Sequence, residues 1–178
     1  MRQRVAVLAV TCLLGLRDTA AAAEPAPVPD RAKVLAAAAV VMERARYCSL
    51  ITLGPDGHPQ SRIVDPFPPD PDLTVWIATN PVTRKVEQIK ADPRVTLSCF
   101  DPSGPGYVTL LARAVLVTDP AEKAKRWKED WIMFYADKNR GPDYVLIRCK
   151  PFRVEVVSYP DGILNDRDSW RPVTIELP

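Results

Sequence analysis

The stretch Tyr107–Asp119, YVTLLARAVLVTD, constrains this chain more than any other. Its β-branched and aromatic residues mark a strand, the longest in the sequence. Both faces are largely apolar, with Leu111, Val115 and Val117 on one and Val108, Leu110, Ala114 and Leu116 on the other. Such a strand is expected to turn one face to a barrel interior and to pack its back against something else, a second subunit being the natural choice.

Shorter strand signals surround it. Tyr47–Leu53 and Gln60–Phe67 flank the turn Gly54-Pro55-Asp56-Gly57 and read as a hairpin. Period-two alternation puts Arg62 and Val64 on one face of it and Ile63 and Asp65 on the other. Leu73–Thr79, Arg94–Phe100, Tyr144–Cys149 and Phe152–Tyr159 are further strands. Helical spacing of Val34, Ala38, Val41 and Ala45 predicts a helix over Arg31–Arg46, capped by Asp30. A second amphipathic helix is expected over Ala121–Phe134, with Trp127 and Trp131 one turn apart, a pair whose spacing favours packing over ligand contact. The fold class that follows is mainly β (α+β), an antiparallel barrel with peripheral helices. One domain is expected over 31–160, preceded by a Pro-Ala linker at 24–30 and followed by a tail at 161–178 without clear periodicity.

Composition narrows the function. The net charge of +2 comes with no basic cluster, so nucleic acid is not an expected partner. His58, in the hairpin turn, is the single histidine, which leaves little room for histidine metal sites or for Ser–His and Cys–His catalysis. Cys48, Cys99 and Cys149 each fall in a strand without metal-ligand spacing. They read as buried thiols more than as a disulfide scaffold, although one bridge is open in an oxidising compartment. Met1–Ala23 has the outline of an export signal: Arg2 and Arg4, an apolar run from Val5 to Leu16, then small residues ending at Ala23. The apolar run is short for a permanent span, so the expected mature chain is exported, periplasmic or secreted, with no membrane helix.

The chemistry concentrates in LTVWIATNPVTRKVEQIKADP, Leu73–Pro93. After the strand, Asn80 stands where an N-cap belongs and Pro81 at the first helical position. Val82, Val86 and Ile89 then form an apolar stripe. Arg84 and Lys85 fall in the first turn, where the helix dipole disfavours cations and free N–H groups welcome an anion. From these residues alone, a solvated basic face and a phosphate site both remain open.

The hairpin YCSLITLGPDGHPQSRIVDPF, the strand-helix VWIATNPVTRKVEQIKADPRVTLSCF, the strand YVTLLARAVLVTD and the closing VLIRCKPFRVEVV together resemble the flavin-binding split-barrel family. That family includes pyridoxamine-phosphate oxidases and bacterial general-stress proteins. The resemblance covers roughly Arg31–Ser158 and implies a split β-barrel homodimer with FMN in a groove between subunits. Carried over, Arg62 reaches the phosphate and ring edge, while Ile63 and Val64 lie along the isoalloxazine. Ile77, Ala78 and Thr79 contact the flavin from the strand, and Arg84 and Lys85 clamp the phosphate. The implied activity is a flavin-dependent oxidoreductase acting on an unidentified small molecule. The oxidases' closing Trp-Arg-His segment has no match in the tail, which holds Trp170 and Arg171 but no His, so oxidation of the vitamin itself is not expected. The alternative is a binding protein of the same fold for haem, a deazaflavin or a partner.

Overall fold

A computed structural model describes residues 30–178; the expected export signal and most of the linker lie outside the described residues. Its elements are α1 (Arg31–Ala45), β1 (Cys48–Leu53), β2 (Pro59–Val64), β3 (Val75–Thr79), α2 (Arg84–Ala91), β4 (Arg94–Phe100), β5 (Gly106–Val117), α3 (Pro120–Ala124), β6 (Val145–Ser158) and β7 (Val173–Glu176), with 3-10 segments at Glu129–Met133 and Lys138–Arg140. The strands form one antiparallel seven-stranded sheet in the order β2-β1-β4-β5-β6-β3, with β7 also paired to β6. This is the mainly β, α+β architecture expected. Among the described residues no helix is long and apolar enough to cross a membrane.

The long apolar strand is β5. Val108, Leu110, Ala112 and Ala114 are buried on one face, while Tyr107, Arg113 and Val115 on the other are open to solvent in the single chain. The buried face joins Leu50, Leu97, Val154 and Val156 in the main core, which α1 covers with Val34, Ala38 and Val41. A smaller aromatic core holds Trp76, Tyr135, Tyr144 and Leu146, with Trp127 and Trp131 packed against it.

Away from α2, four sequence expectations change. Tyr144–Cys149 and Phe152–Tyr159 are one continuous strand, β6. Its register against β5 shifts between Leu111 and Ala112, where Ala112 faces Pro151. Proline cannot donate to the ladder, and the chain absorbs it as a bulge instead of breaking. The tail contributes β7, whose Val173 and Ile175 pack on the main core.

The helix over Ala121–Phe134 stops at Ala124. Its cations find separate partners: Lys123 Nζ donates to Gly141 O at 2.8 Å, the Arg126 guanidinium stacks 3.5 Å over Trp76, and Lys128 Nζ donates to Asp65 Oδ1 at 2.6 Å. A straight helix could not serve all three directions, so tertiary contacts override helical propensity.

The cysteines are the fourth change. Cys48 and Cys99 form a disulfide and, among the described residues, Cys149 alone remains a buried thiol. The reason is strand pairing that the sequence does not reveal. β1 lies beside β4 with Ser49 opposite Ser98, a register that brings Cys48 and Cys99 face to face with Cα atoms 4.4 Å apart. Burial pushes the Cys149 thiol up to about 12.

Arg44, near the end of α1, bridges Asp101 Oδ2 at 3.1 Å and Asp161 Oδ2 at 2.9 Å, tying the helix to two loops. Burial alone would raise the Asp101 carboxyl, but bonds from Ser103 and Arg44 outweigh it and hold it below the ordinary carboxylate value. Bonds from Ser158 and Arg44 depress Asp161 likewise. Depressed folded-state values mean stability that is present at neutral pH and lost as pH falls through them. Arg44→Met is therefore expected to lower the melting temperature at pH 7, with the gap to the parent closing below about pH 4, the ordinary carboxylate range. Thermal melts at pH 7 and pH 3 check this; an equal gap at both would contradict the clamp.

Candidate functional site

β2 sits at one end of the strand order and β3 at the other, yet both line the same groove. The sheet therefore curls far enough to bring its end strands together. The Phe67 N–H donates to Trp76 O at 2.9 Å just beyond β2, joining the two at that seam. The groove holds about 200 Å3. Ile63, Val64 and Asp65 line it from the end of β2, and Ile77 and Ala78 from β3. Lys85 enters from α2, and Trp131, Phe134 and Tyr135 give it an aromatic wall.

Arg62 stands behind this groove on the inner face of β2. Its guanidinium donates to Leu50 O at 3.2 Å, to Thr52 Oγ1 at 2.6 Å and to Gln88 Oε1 at 2.9 Å. Thr52 donates in turn to Gln88 Oε1 at 2.6 Å, and Gln88 Nε2 donates to Gln60 Oε1 at 2.8 Å. Thr52 and Gln88 are buried, so their polar atoms need these partners. The network fastens α2 to the hairpin.

The start of α2 departs from the sequence reading. Asn80 does not cap it: its side chain accepts from Val82 N at 3.0 Å, forming an Asx turn, and the helix begins at Arg84 after Thr83. Val82 is consequently 83% exposed and leaves the apolar stripe, where Gln88 joins Val86 and Ile89 instead. The Thr83 hydroxyl turns back to Asn80 O at 2.9 Å and makes no bond to the first helical turn. Thr79 is buried behind this turn, its Oγ1 3.3 Å from that of Thr83, and does not line the groove.

Arg84 and Lys85 keep their place in the first turn but point to different spaces. Lys85 is half-buried in the groove, whereas exposed Arg84 borders a second, larger cavity of about 680 Å3 beside Gln60, Gln88 and the hairpin turn. Arg62 lies between them electrostatically. Burial, then the charge of Arg84, lowers the Arg62 pKa; burial, then the charge of Arg62, lowers that of Lys85. Among the described residues no carboxylate pairs with any of the three: Asp65, three residues along the chain from Arg62, is bound to Lys128.

The site thus gathers Ile63, Val64, Ile77, Ala78 and Lys85 around the groove, places Arg62 and Arg84 just behind it, and leaves Thr79 inside. Sequence reasoning missed Asp65 as a latch for Lys128, the Thr52–Gln88 network, and the wall formed by Phe134 and Tyr135. Trp131 belongs to that wall, while Trp127 packs against Tyr135 and Tyr144 with centroids 6.3 and 6.0 Å away. His58 is at the hairpin turn beside Gly57, which takes a φ of 79°, and its side chain is 80% exposed.

A sequence model of the pyridoxamine 5'-phosphate oxidase family matches residues 35–158. The chain belongs to this family. Solved structures agree on the fold. A Clostridium acetobutylicum protein related to general stress protein 26 is 19% identical with a TM-score of 0.68, covering 83% of this chain and 96% of that one. General stress protein 26 from Bacillus anthracis is 20% identical with a TM-score of 0.65, covering 80% and 98%. A haem-binding protein from Mycobacterium smegmatis is 18% identical with a TM-score of 0.58, covering 73% and 55%. At such identities the pyridoxamine 5'-phosphate oxidase relatives speak for the split-barrel architecture alone. No curated protein matches the sequence.

Proposed function

We propose that this chain binds FMN and serves as a flavin-dependent oxidoreductase for a small molecule. The single observation that carries the reading is the set of three cations, Arg62, Arg84 and Lys85, gathered at the start of α2 and on β2 with no carboxylate partner among the described residues, where burial and then a neighbouring cation lower the proton affinity of Arg62 and of Lys85. Like charges held together in this way are relieved by a shared anion. A flavin phosphate supplies two negative charges, and Arg offers it a forked donor where Lys offers a mobile point charge. The apolar wall of Ile63, Val64, Ile77 and Ala78, faced by Trp131 and Phe134, suits a planar ring. FMN supplies hydride or electron transfer when bound. The chain's part is to hold the phosphate, to seat the ring, and to keep water from its apolar side.

The outward face of β5 and the small volume of the groove favour a homodimer in which a second copy completes the site. The Cys48–Cys99 bond favours the exported location expected from Met1–Ala23, because disulfides persist in oxidising compartments. A haem reading has the Mycobacterium smegmatis neighbour behind it, but His58 lies at an exposed turn and does not line the groove. A visible titration separates the two. Flavin bands that shift on addition of protein, with micromolar affinity, support FMN; a Soret band with haem and no response to FMN overturns it.

A further inference from the structure

Arg62, Ile63 and Val64 ride on β2, whose ladder partner among the described residues is β1 alone. Six register pairs join β1 to β2, but the β1–β4 ladder has three: Ser49–Ser98, Leu50–Leu97 and Ile51–Thr96. That short ladder is the hairpin's backbone joint to the middle of the sheet, the bond from Phe67 N–H to Trp76 O tying only its far end to β3. The next pair in its register is Cys48 and Cys99, and they are covalently joined. On its other side Cys48 faces Val64, a groove-wall residue. Two residues along, Leu50 faces Arg62 and accepts its hydrogen bond. The covalent tie therefore lies in the same strand as the backbone that supports the groove wall and the Arg62 guanidinium.

We propose that Cys48 and Cys99 are positioning residues of the anion site: their disulfide clasps the β1–β2 hairpin to β4, and the affinity of the groove follows their oxidation state. The proposal rests on the phosphate reading of the groove. The reductant is a dithiol. The S–S bond takes up two electrons and two protons to give two cysteine thiols, and the dithiol closes to its own disulfide. The half-cystines are 1% and 0% exposed, so exchange proceeds through molecules in which the joint has opened locally. Once reduced, the hairpin is held by non-covalent ties: the three β1–β4 pairs, the Gln88 network, the Lys128–Asp65 pair and the Phe67–Trp76 seam bond. Two buried thiols still fill the space, so packing is kept while the tether is lost.

The test compares the oxidised full chain, the same chain reduced with excess dithiothreitol, the double variant Cys48→Ala/Cys99→Ala, and Val154→Ala as a control. Val154 is a core residue of β6, which does not pair with the hairpin. Affinity for FMN is read by flavin fluorescence, and amide exchange is mapped by mass spectrometry. If the untethered hairpin is docked in about a tenth of molecules, the apparent Kd rises about tenfold. That loss is expected for the reduced chain and the double variant, with faster exchange confined to β1 and β2. Val154→Ala should lower the melting temperature and leave FMN affinity unchanged. The proposal is overturned if the folded double variant binds FMN as tightly as the oxidised chain, or if exchange in β1 and β2 stays as slow as before. Should the oxidised chain bind neither FMN nor inorganic phosphate, the phosphate reading fails by itself, and the exchange pattern still decides whether the clasp holds the hairpin.

Discussion

Replacing Arg84 and Lys85 together by Ala is expected to weaken FMN binding by about 3–6 kcal/mol, taking roughly 1.5–3 for each charge-assisted contact. That is about a hundred- to ten-thousandfold in Kd. The ligand-free protein should lose almost nothing, because neither side chain has a hydrogen-bonded or ionic partner among the described residues and the Lys85 ammonium is already held down by burial and by Arg62. Calorimetric titration and a melting curve on the same sample separate the two effects. The single variants add information, since Lys85 lines the groove and Arg84 the larger cavity. Binding in the parent should also weaken with added salt, most steeply at low ionic strength where screening is least. A double variant that binds FMN within about threefold of the parent would remove the phosphate from this corner of the molecule.

The second large effect falls on stability. Gln88→Leu removes an acceptor shared by Thr52 and Arg62 and a donor to Gln60, all at a buried contact between α2 and the hairpin. Leaving those groups unsatisfied is expected to cost about 3 kcal/mol, several times the worth of a satisfied bond. Urea denaturation measures it, and a loss under about 0.5 kcal/mol would show the network to be dispensable. Gln88→Glu makes the complementary point. A carboxylate there keeps the acceptors for Thr52 and Arg62, so much of the stability should remain. It also neutralises Arg62, so anion affinity should fall. Gln88→Glu then loses binding while keeping most of the stability, which Gln88→Leu gives up.

Much of this site is local in the chain, and the local part was legible. Arg62 and Val64 on one face of a hairpin strand, and Arg84 and Lys85 at a helix start after a strand, follow from alternation and turn signals that short-range physics enforces. The exact start of α2 was not, because Asn80 can cap a helix or close an Asx turn with nearly the same residues around it. The aromatic wall was hidden for a different reason. Trp131, Phe134 and Tyr135 have helical spacing, yet Lys123, Arg126 and Lys128 are drawn to partners on other elements and the segment becomes a 3-10 turn. The disulfide was hidden because β1 pairs with β4, and the two cysteines are 51 residues apart.

The short strand near the C-terminus has a bearing on solubility. Over Val145–Cys149, β6 is covered by β3, but over Arg153–Val156 its outer side would be bare without β7. An unpaired β row invites another chain to add to it. β7 closes that row and is itself a poor template: four residues long, bounded by Pro172 and Pro178, and bearing Glu176 in an ion pair with Arg153. A segment that carries no part of the groove thereby works as a guard against aggregation.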